Sequence, residues 1–326
     1  MIALVSGAAG FIGSHLVERL EADGVTVRRV QRPLPEAETY ARDPIWRGVT
    51  HVFHLGGRTR APLASDLAEA NVQFTERLAQ AAVAQAVIRD APVPHFVFVS
   101  SLAALGPAAA FDLPVTEQQI PAPVEAYGRS KLEAEQRLRC IADLPLTIVR
   151  PSAVYGPRDR DFLTVFRQVR HAVQWRATPG WYGLSLAFVH DVVDAILAVT
   201  RVAAHESRSG PVDYLVSGHE VRWDALYEAT ARAVGCACGR VMPRAMSVQI
   251  PPLLLSIAGM VGAQVGRLTG SPPLATPDKI ILGAQPYWVC RDDRLRRYAG
   301  WQPRVTLDAG LLETARWYVQ HGWLTR

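Results

Sequence analysis

The chain has 326 residues, 49% of them hydrophobic, and a formal net charge of +5. That is enough apolar material for a large core in one or two domains. The positive charge is spread out, with no basic block and no interleaved aromatics, which argues against nucleic acid as a partner. Four scattered cysteines (Cys140, Cys236, Cys238, Cys290) include a Cys-x-Cys with no second pair and no nearby His. No metal site is therefore expected, and reduced thiols suit a cytoplasmic location. The most apolar window, Pro251 to Gly266, is too short and too glycine-rich for a membrane span of about 20 residues.

In chain order, Ile2 to Ser6 reads as a short strand, followed at once by Gly7-Ala8-Ala9-Gly10-Phe11-Ile12-Gly13. A helical pattern follows, with Leu16, Val17 and Leu20 apolar and Glu18, Arg19 and Glu21 polar. Strand, glycine turn and helix in that order open a dinucleotide-binding βαβ unit. The glycines let backbone approach a pyrophosphate, and the helix start supplies amide donors. Gly7, Ala9, Gly10, Phe11 and Ile12 are thus cofactor-binding candidates. Since the chain starts on this strand, no signal or transit segment is expected. Asp23-Gly24 ends the helix, and Val25 to Val30 reads as the second strand. At its end an acidic residue would hold the ribose of NAD. Here Gln31 and Arg32 occupy the position, with Arg28 and Arg29 just before. Guanidinium groups suit a 2′-phosphate, so NADP(H) is preferred over NAD(H).

Only nineteen residues, among them Pro33, Pro35 and Pro44, separate Gln31 from the next strand at His51 to Leu55. A single crossover of about a dozen residues fits in that space. Further on, Phe96 to Val99 is an apolar strand ending in Ser100-Ser101. Then comes Tyr127-Gly128-Arg129-Ser130-Lys131, which holds one of the chain's two lysines, the other being Lys279. At i, i+4 spacing the two side chains share a helix face. A nearby ammonium favours tyrosinate, which makes Tyr127 a candidate acid/base near neutral pH.

Taken together, these motifs resemble the extended short-chain dehydrogenase/reductases, the group that includes nucleotide-sugar epimerases, dihydroflavonol reductases and 3β-hydroxysteroid dehydrogenases. Val52-Phe53-His54-Leu55-Gly56-Gly57 is similar to that family's strand and loop beside the cofactor, and Asn71-Val72 to the start of its next helix. Arg150 to Pro157 resembles the nicotinamide-side loop, and Phe188 to Val193 the turn where the chain re-enters the nucleotide-binding domain. The resemblance implies a doubly wound parallel sheet of Rossmann type with a smaller, mainly helical C-terminal substrate domain. The former comprises 1–156 and 187–217, the latter 157–186 and 218–326. It also implies that Ser101 bonds the substrate oxygen and that Tyr127 gives or takes its proton. Lys131 would hold the ribose hydroxyls while depressing the tyrosine pKa. Leu55, Gly56, Gly57, Ser100, Pro151, Ala153 and Val154 join the cofactor-binding set. Arg158, Trp175, Trp181 and Tyr182 are the substrate candidates.

Departures from the family pattern narrow the function. The segment after Gln31 is too short for the usual helix, strand and helix, so the sheet is expected to be one strand smaller and an adenine-contacting aspartate has no counterpart. Leu102-Ala103-Ala104 follow Ser101 where dehydratases carry acids. Leu184 to Ala187 lack the arginine that clamps a nucleotide-sugar diphosphate, with Arg167, Arg170 and Arg176 the nearest replacements. Together with the apolar stretch Pro251 to Val261, this favours an NADP(H)-dependent alcohol/ketone oxidoreductase acting on a fairly apolar small molecule. The alternative is a nucleotide-sugar epimerase that keeps NAD bound. By the same resemblance a homodimer is expected, formed through the helices at 71–88 and 127–140.

Overall fold

A computed structural model of the chain describes residues 1–61, 64–171, 173–176, 182–205, 210–243, 246–250, 281 and 283–324. Strand β1 (Ile2–Ser6), helix α1 (Phe11–Ala22) and strand β2 (Thr26–Arg29) come first. After them run α2 (Ala37–Ala41), β3 (His51–His54), α3 (Ala64–Ala68), a π-turn over Glu69–Gln73, and α4 (Phe74–Arg89). Next are β4 (His95–Val99), α5 (Ala126–Arg139), β5 (Leu146–Pro151) and β6 (Ala153–Tyr155). The chain continues through α6 (Leu163–Arg170), β7 (Val173–Arg176), β8 (Gly183–Phe188), α7 (Val189–His205) and β9 (Val212–Val216). Last come β10 (His219–Arg222), α8 (Trp223–Cys238), β11 (Met246–Gln249), β12 (Tyr287–Trp288), α9 (Asp293–Ala299) and α10 (Leu307–Gln320).

Six strands form one parallel sheet in the order β2-β1-β3-β4-β5-β9. Strands covered on both faces alternate between two apolar layers. Ala3, Val5, Phe53, Val97, Val99 and Val149 face the layer built with α1 and α7. Leu4, Val52, Phe96, Phe98, Leu146 and Ile148 face the layer built with α2, α4 and α5. Helices on both faces make the sheet doubly wound, as the motifs imply.

The short link from β2 to β3 makes one crossover, so β2 is left at the sheet edge. The link is held down by polar contacts. Trp46, buried, donates its indole N–H to Tyr40 O (3.0 Å). Arg28 donates to Ile45 O and Arg47 O (2.6 Å each), which takes this arginine away from any nucleotide. Because β1 lies between β2 and β3, the strand order reverses at β1/β3, the place where open parallel sheets bind ligands.

A second sheet joins β8 to β10, β12 and β6. It packs with α6, α8 and α10 around Tyr155, Phe166, Phe188, Leu226 and Tyr318. The Asp191 carboxylate accepts from Arg304 N (3.0 Å) and Val305 N (3.2 Å), tying the segment before α10 to the start of α7. No described helix is long and apolar enough to cross a membrane.

Candidate active site

At the C-terminal end of β1 the glycines are required by contact. Gly7 has φ +74°, and a Cβ there would lie 2.7 Å from Gly56 N. On Gly13 a Cβ would lie 2.0 Å from Gly7 O. Gly10 occupies the N-cap of α1, whose first turn has no side-chain cap and no acidic residue. The helix-start amides and positive dipole end thus face the turn, as a pyrophosphate needs. This cradle fits a dinucleotide, with Gly7, Ala9, Gly10, Phe11 and Ile12 around it.

Beside it, the β3 end is held by a neutral network. Ser6 Oγ contacts His54 Nδ1 and accepts from Gly56 N (3.2 Å). His54 Nε2 lies 2.6 Å from Thr75 Oγ1, which donates to Asn71 O (2.7 Å). Since Thr75 spends its proton on that carbonyl, His54 must donate from Nε2 and accept at Nδ1. His54 is fully buried, and burial above all, with Lys131 and Arg32 adding to it, pushes its pKa well below the usual value. The ring is therefore neutral. Asn71 accepts from Arg58 N (2.7 Å) and donates to Arg58 O and Ser130 Oγ (2.9 Å each). It thereby pins the loop after Gly57 to α5. A π-turn, often found at functional sites, carries this asparagine. Neither Asn71 nor His54 stood among the sequence's candidate site residues. A polar side chain within an apolar stretch was the available signal.

Gln31 is exposed, whereas Arg32 folds back over the Phe74 ring (4.0 Å) and donates to Ala70 O (3.3 Å). Burial lowers its pKa and the Arg58 cation lowers it further, with Glu69 opposing. Arg29 is paired with Glu21 (2.6 Å).

Ser100 and Ser101 follow β4. Ser101 Oγ accepts from Ala103 N (3.1 Å) and lies beside the Tyr127 phenol. Glu125 caps α5, accepting from Tyr127 N (2.5 Å) and Gly128 N (2.6 Å). Lys131 is buried; its Nζ donates to Val99 O (2.9 Å) and lies 6.0 Å from the Tyr127 ring centroid. Burial brings its pKa down to about 8, Glu135 opposing and Arg32 assisting. The Tyr127 phenol is not depressed as the spacing suggested. Burial pushes it up to about 12, with Ser101 opposing and Glu125 assisting. The ammonium is turned to a carbonyl rather than to the phenol, so desolvation prevails. Tyr127 therefore holds its proton at neutral pH.

Beneath this group lies a charged network. Ser100 Oγ donates to Glu135 Oε1 (2.5 Å), and Arg150 grips Glu135 through Nε (2.9 Å) and Nη2 (2.5 Å). Arg150 also pairs with Asp213 (2.9 Å), which accepts from Arg139.

The substrate-side candidates fall in different places. Arg158, at φ 72°, donates to Ser14 Oγ (3.1 Å) and pairs with Glu18 (2.7 Å), so it lies against α1. Trp175 pairs through its backbone with Val248. Trp181 lies outside the described residues, as do Pro251 to Val261. Tyr182 stands 6.4 Å from Tyr287, which stands 6.3 Å from Phe111. Phe111, Tyr287 and Trp288 pack on Val289 and on Leu102 and Leu105, which follow Ser101. Pro151, Ala153 and Val154 end β5 and form β6. No metal-holding cluster occurs among the described residues.

Comparison with known proteins agrees with this geometry. Over its full length the chain is 25% identical to a ceramide reductase of Caulobacter vibrioides (strain NA1000 / CB15N), covering 96% of it. It is 25% identical to a UDP-glucose 4-epimerase of Vibrio cholerae, covering 97% of this chain and 95% of that one. The fold matches RMD from Pseudomonas aeruginosa complexed with NADPH at a TM-score of 0.69 and 21% identity, over 97% and 98% of the two chains. Residues 3–214 match the model of the NAD dependent epimerase/dehydratase family. The chain belongs to that family, whose members bind a nicotinamide cofactor, and is an NAD(P)-dependent oxidoreductase.

Proposed function

We propose that the protein is an NADP(H)-dependent oxidoreductase interconverting a secondary alcohol and a ketone on a fairly apolar small molecule. The observation that carries this reading is Tyr127 set one turn before buried Lys131 and beside Ser101, whose following loop runs into an apolar and aromatic cluster. A protonated phenol is ready to donate, which suits reduction of a carbonyl. When bound, the nicotinamide supplies or accepts hydride at C4. Ser101 orients the substrate oxygen by hydrogen bonding, Tyr127 delivers its phenolic proton there, and Lys131 holds positive charge beneath both. Partly buried Phe111, Tyr287 and Trp288, backed by the buried Leu102 and Leu105, offer apolar contact to a substrate.

One feature supports NADP(H), and a second opposes a nucleotide-sugar substrate. Arg32 and Arg58 repel each other across the end of the β1/β3 crevice, and an anion between them removes that cost. Where a diphosphate clamp would be needed, Leu184, Leu186 and Ala187 are buried in core and Ser185 bonds Cys290. The full-length likeness to a ceramide reductase adds weight. The rival is a nucleotide-sugar epimerase with resident NAD, which the equal identity to a UDP-glucose 4-epimerase favours.

The two readings separate on the nucleotide released by denaturing the purified protein and on NADPH oxidation with a panel of apolar ketones. Exchangeable NADPH is expected, with Tyr127→Phe slowing its oxidation by about 10²–10⁴-fold. Arg32→Ala should lower the preference for NADPH over NADH by about tenfold. Stoichiometric NAD with no NADPH consumption would install the epimerase instead.

A further inference from the structure

Tyr127, Lys131, Glu135 and Arg139 lie at successive i+4 positions, one stripe of α5. The first two belong to the acid/base pair, whereas the last two lead into a chain of charges. Arg139 holds Asp213, Asp213 holds Arg150, and Arg150 grips Glu135 with two hydrogen bonds. Glu135 and Arg150 are 1% and 3% exposed. Burying so many charges is costly, and a salt bridge by itself seldom repays it. The arrangement has a second end, because Glu135 also accepts from Ser100, the residue just before Ser101.

We propose that Glu135 is a positioning residue for the acid/base pair. It fixes the strand end that carries Ser101 through Ser100, and its carboxylate keeps the buried Lys131 ammonium charged one helical turn away. This inference rests on the oxidoreductase reading above. Charge balance shows why the carboxylate is needed. Arg150 grips Glu135 directly and Lys131 stands one turn before it on the same helix, so with a neutral residue there two buried cations would lose the carboxylate nearest to both. Burial already lowers the Lys131 pKa to about 8, and Glu135 is the group that opposes it. The other charged or titratable groups around Lys131 are Tyr127 on its own helix, His54 ending β3 and Arg32 after β2. The helical segment packed on α5 carries Asp66, Glu69 and Glu76, the last held by Arg137 (2.9 Å). Of these, His54 is neutral and Arg32 disfavours the ammonium, which leaves Glu135 to sustain it.

With two lysines in the sequence, the test is direct. Protein labelled with [13C]lysine gives two Cε signals, and Lys279→Arg assigns them. In Glu135→Gln, which preserves the size and acceptor oxygen, the Lys131 midpoint should fall by about one pH unit or more. In Ser100→Ala and Glu135→Asp, which keep the carboxylate, it should move by less than half as much. The pH at which NADPH affinity weakens should follow the midpoint. An unmoved midpoint with a lowered melting temperature would make Glu135 merely structural and overturn the proposal. A midpoint that moves while the NADPH profile stays put would also overturn it. If Glu135→Gln does not fold, [13C]glutamate-labelled wild-type protein serves instead. One side-chain carboxylate signal must titrate at the Lys131 midpoint, and none doing so rejects the coupling. The lysine titration needs no nucleotide, so it stands or falls apart from the oxidoreductase reading, which Tyr127→Phe and NADPH consumption test.

Discussion

Two buried polar networks lie under the same site and are built on opposite principles. At the β3 end, Ser6, His54, Thr75 and Asn71 are all neutral, and every proton has one direction. At the β4 and β5 ends, Ser100 leads into Glu135, Arg150 and Asp213, which carry alternating charge. The neutral set anchors the loops that form the cofactor cradle, where a pH-independent shape is needed. The charged set adjoins Ser101, Tyr127 and Lys131, the proposed proton-handling residues, where a fixed field is useful. A histidine in the first network is thus a geometric part and not a switch, because burial suppresses its titration.

The largest effect that would sharpen this contrast comes from breaking the charged set on one side. Arg150→Met leaves Glu135 and Asp213 without their shared cation and should destabilise the fold by about 3–5 kcal/mol, read by denaturant unfolding. His54→Leu takes one buried partner each from Ser6 and Thr75, and the expected loss is smaller, about 1–3 kcal/mol. Equal losses would erase the distinction between the two networks. The smallest effect is a slope. Burial lowers the pKa of His95, which bonds Thr147 (2.9 Å), to about 4. Unfolded histidine titrates near 6.5, so below that pH the unfolded chain binds protons that the native state refuses. Stability should therefore be full above about pH 6.5 and fall towards pH 4. Each buried histidine contributes at most about 1.4 kcal/mol per pH unit. His95→Phe should flatten the decline of melting temperature between pH 6.5 and 4.5, and an unchanged slope would count against it.

Much of the cradle was legible because its requirements are local. A glycine that must take φ +74° or admit a carbonyl at contact distance leaves its mark in the chain, as Gly7 and Gly13 do. The single crossover after Gln31 was equally readable, since residue count limits what a link can hold. The pairing of Tyr127 with Lys131 on one helix face followed from spacing, but its electrostatics did not. Whether an ammonium depresses a phenol depends on where it points and how dry both are, and Nζ points to Val99 O. Arg158 offers the same lesson. The family resemblance made it a substrate candidate, yet at φ 72° it lies against α1, bonded to Ser14 and paired with Glu18.

The amino-acid sequence by itself determined the parallel nucleotide-binding architecture, the glycine turn and the placement of Tyr127 and Lys131 on one helix face, all of which rest on short-range spacing and periodicity. Only the tertiary structure decided which polar groups meet across the sheet. Ser6 finds His54 across 48 residues, and Arg139 finds Asp213 across 74. Such contacts depend on strand order and register, and these emerge only when the whole apolar core has packed.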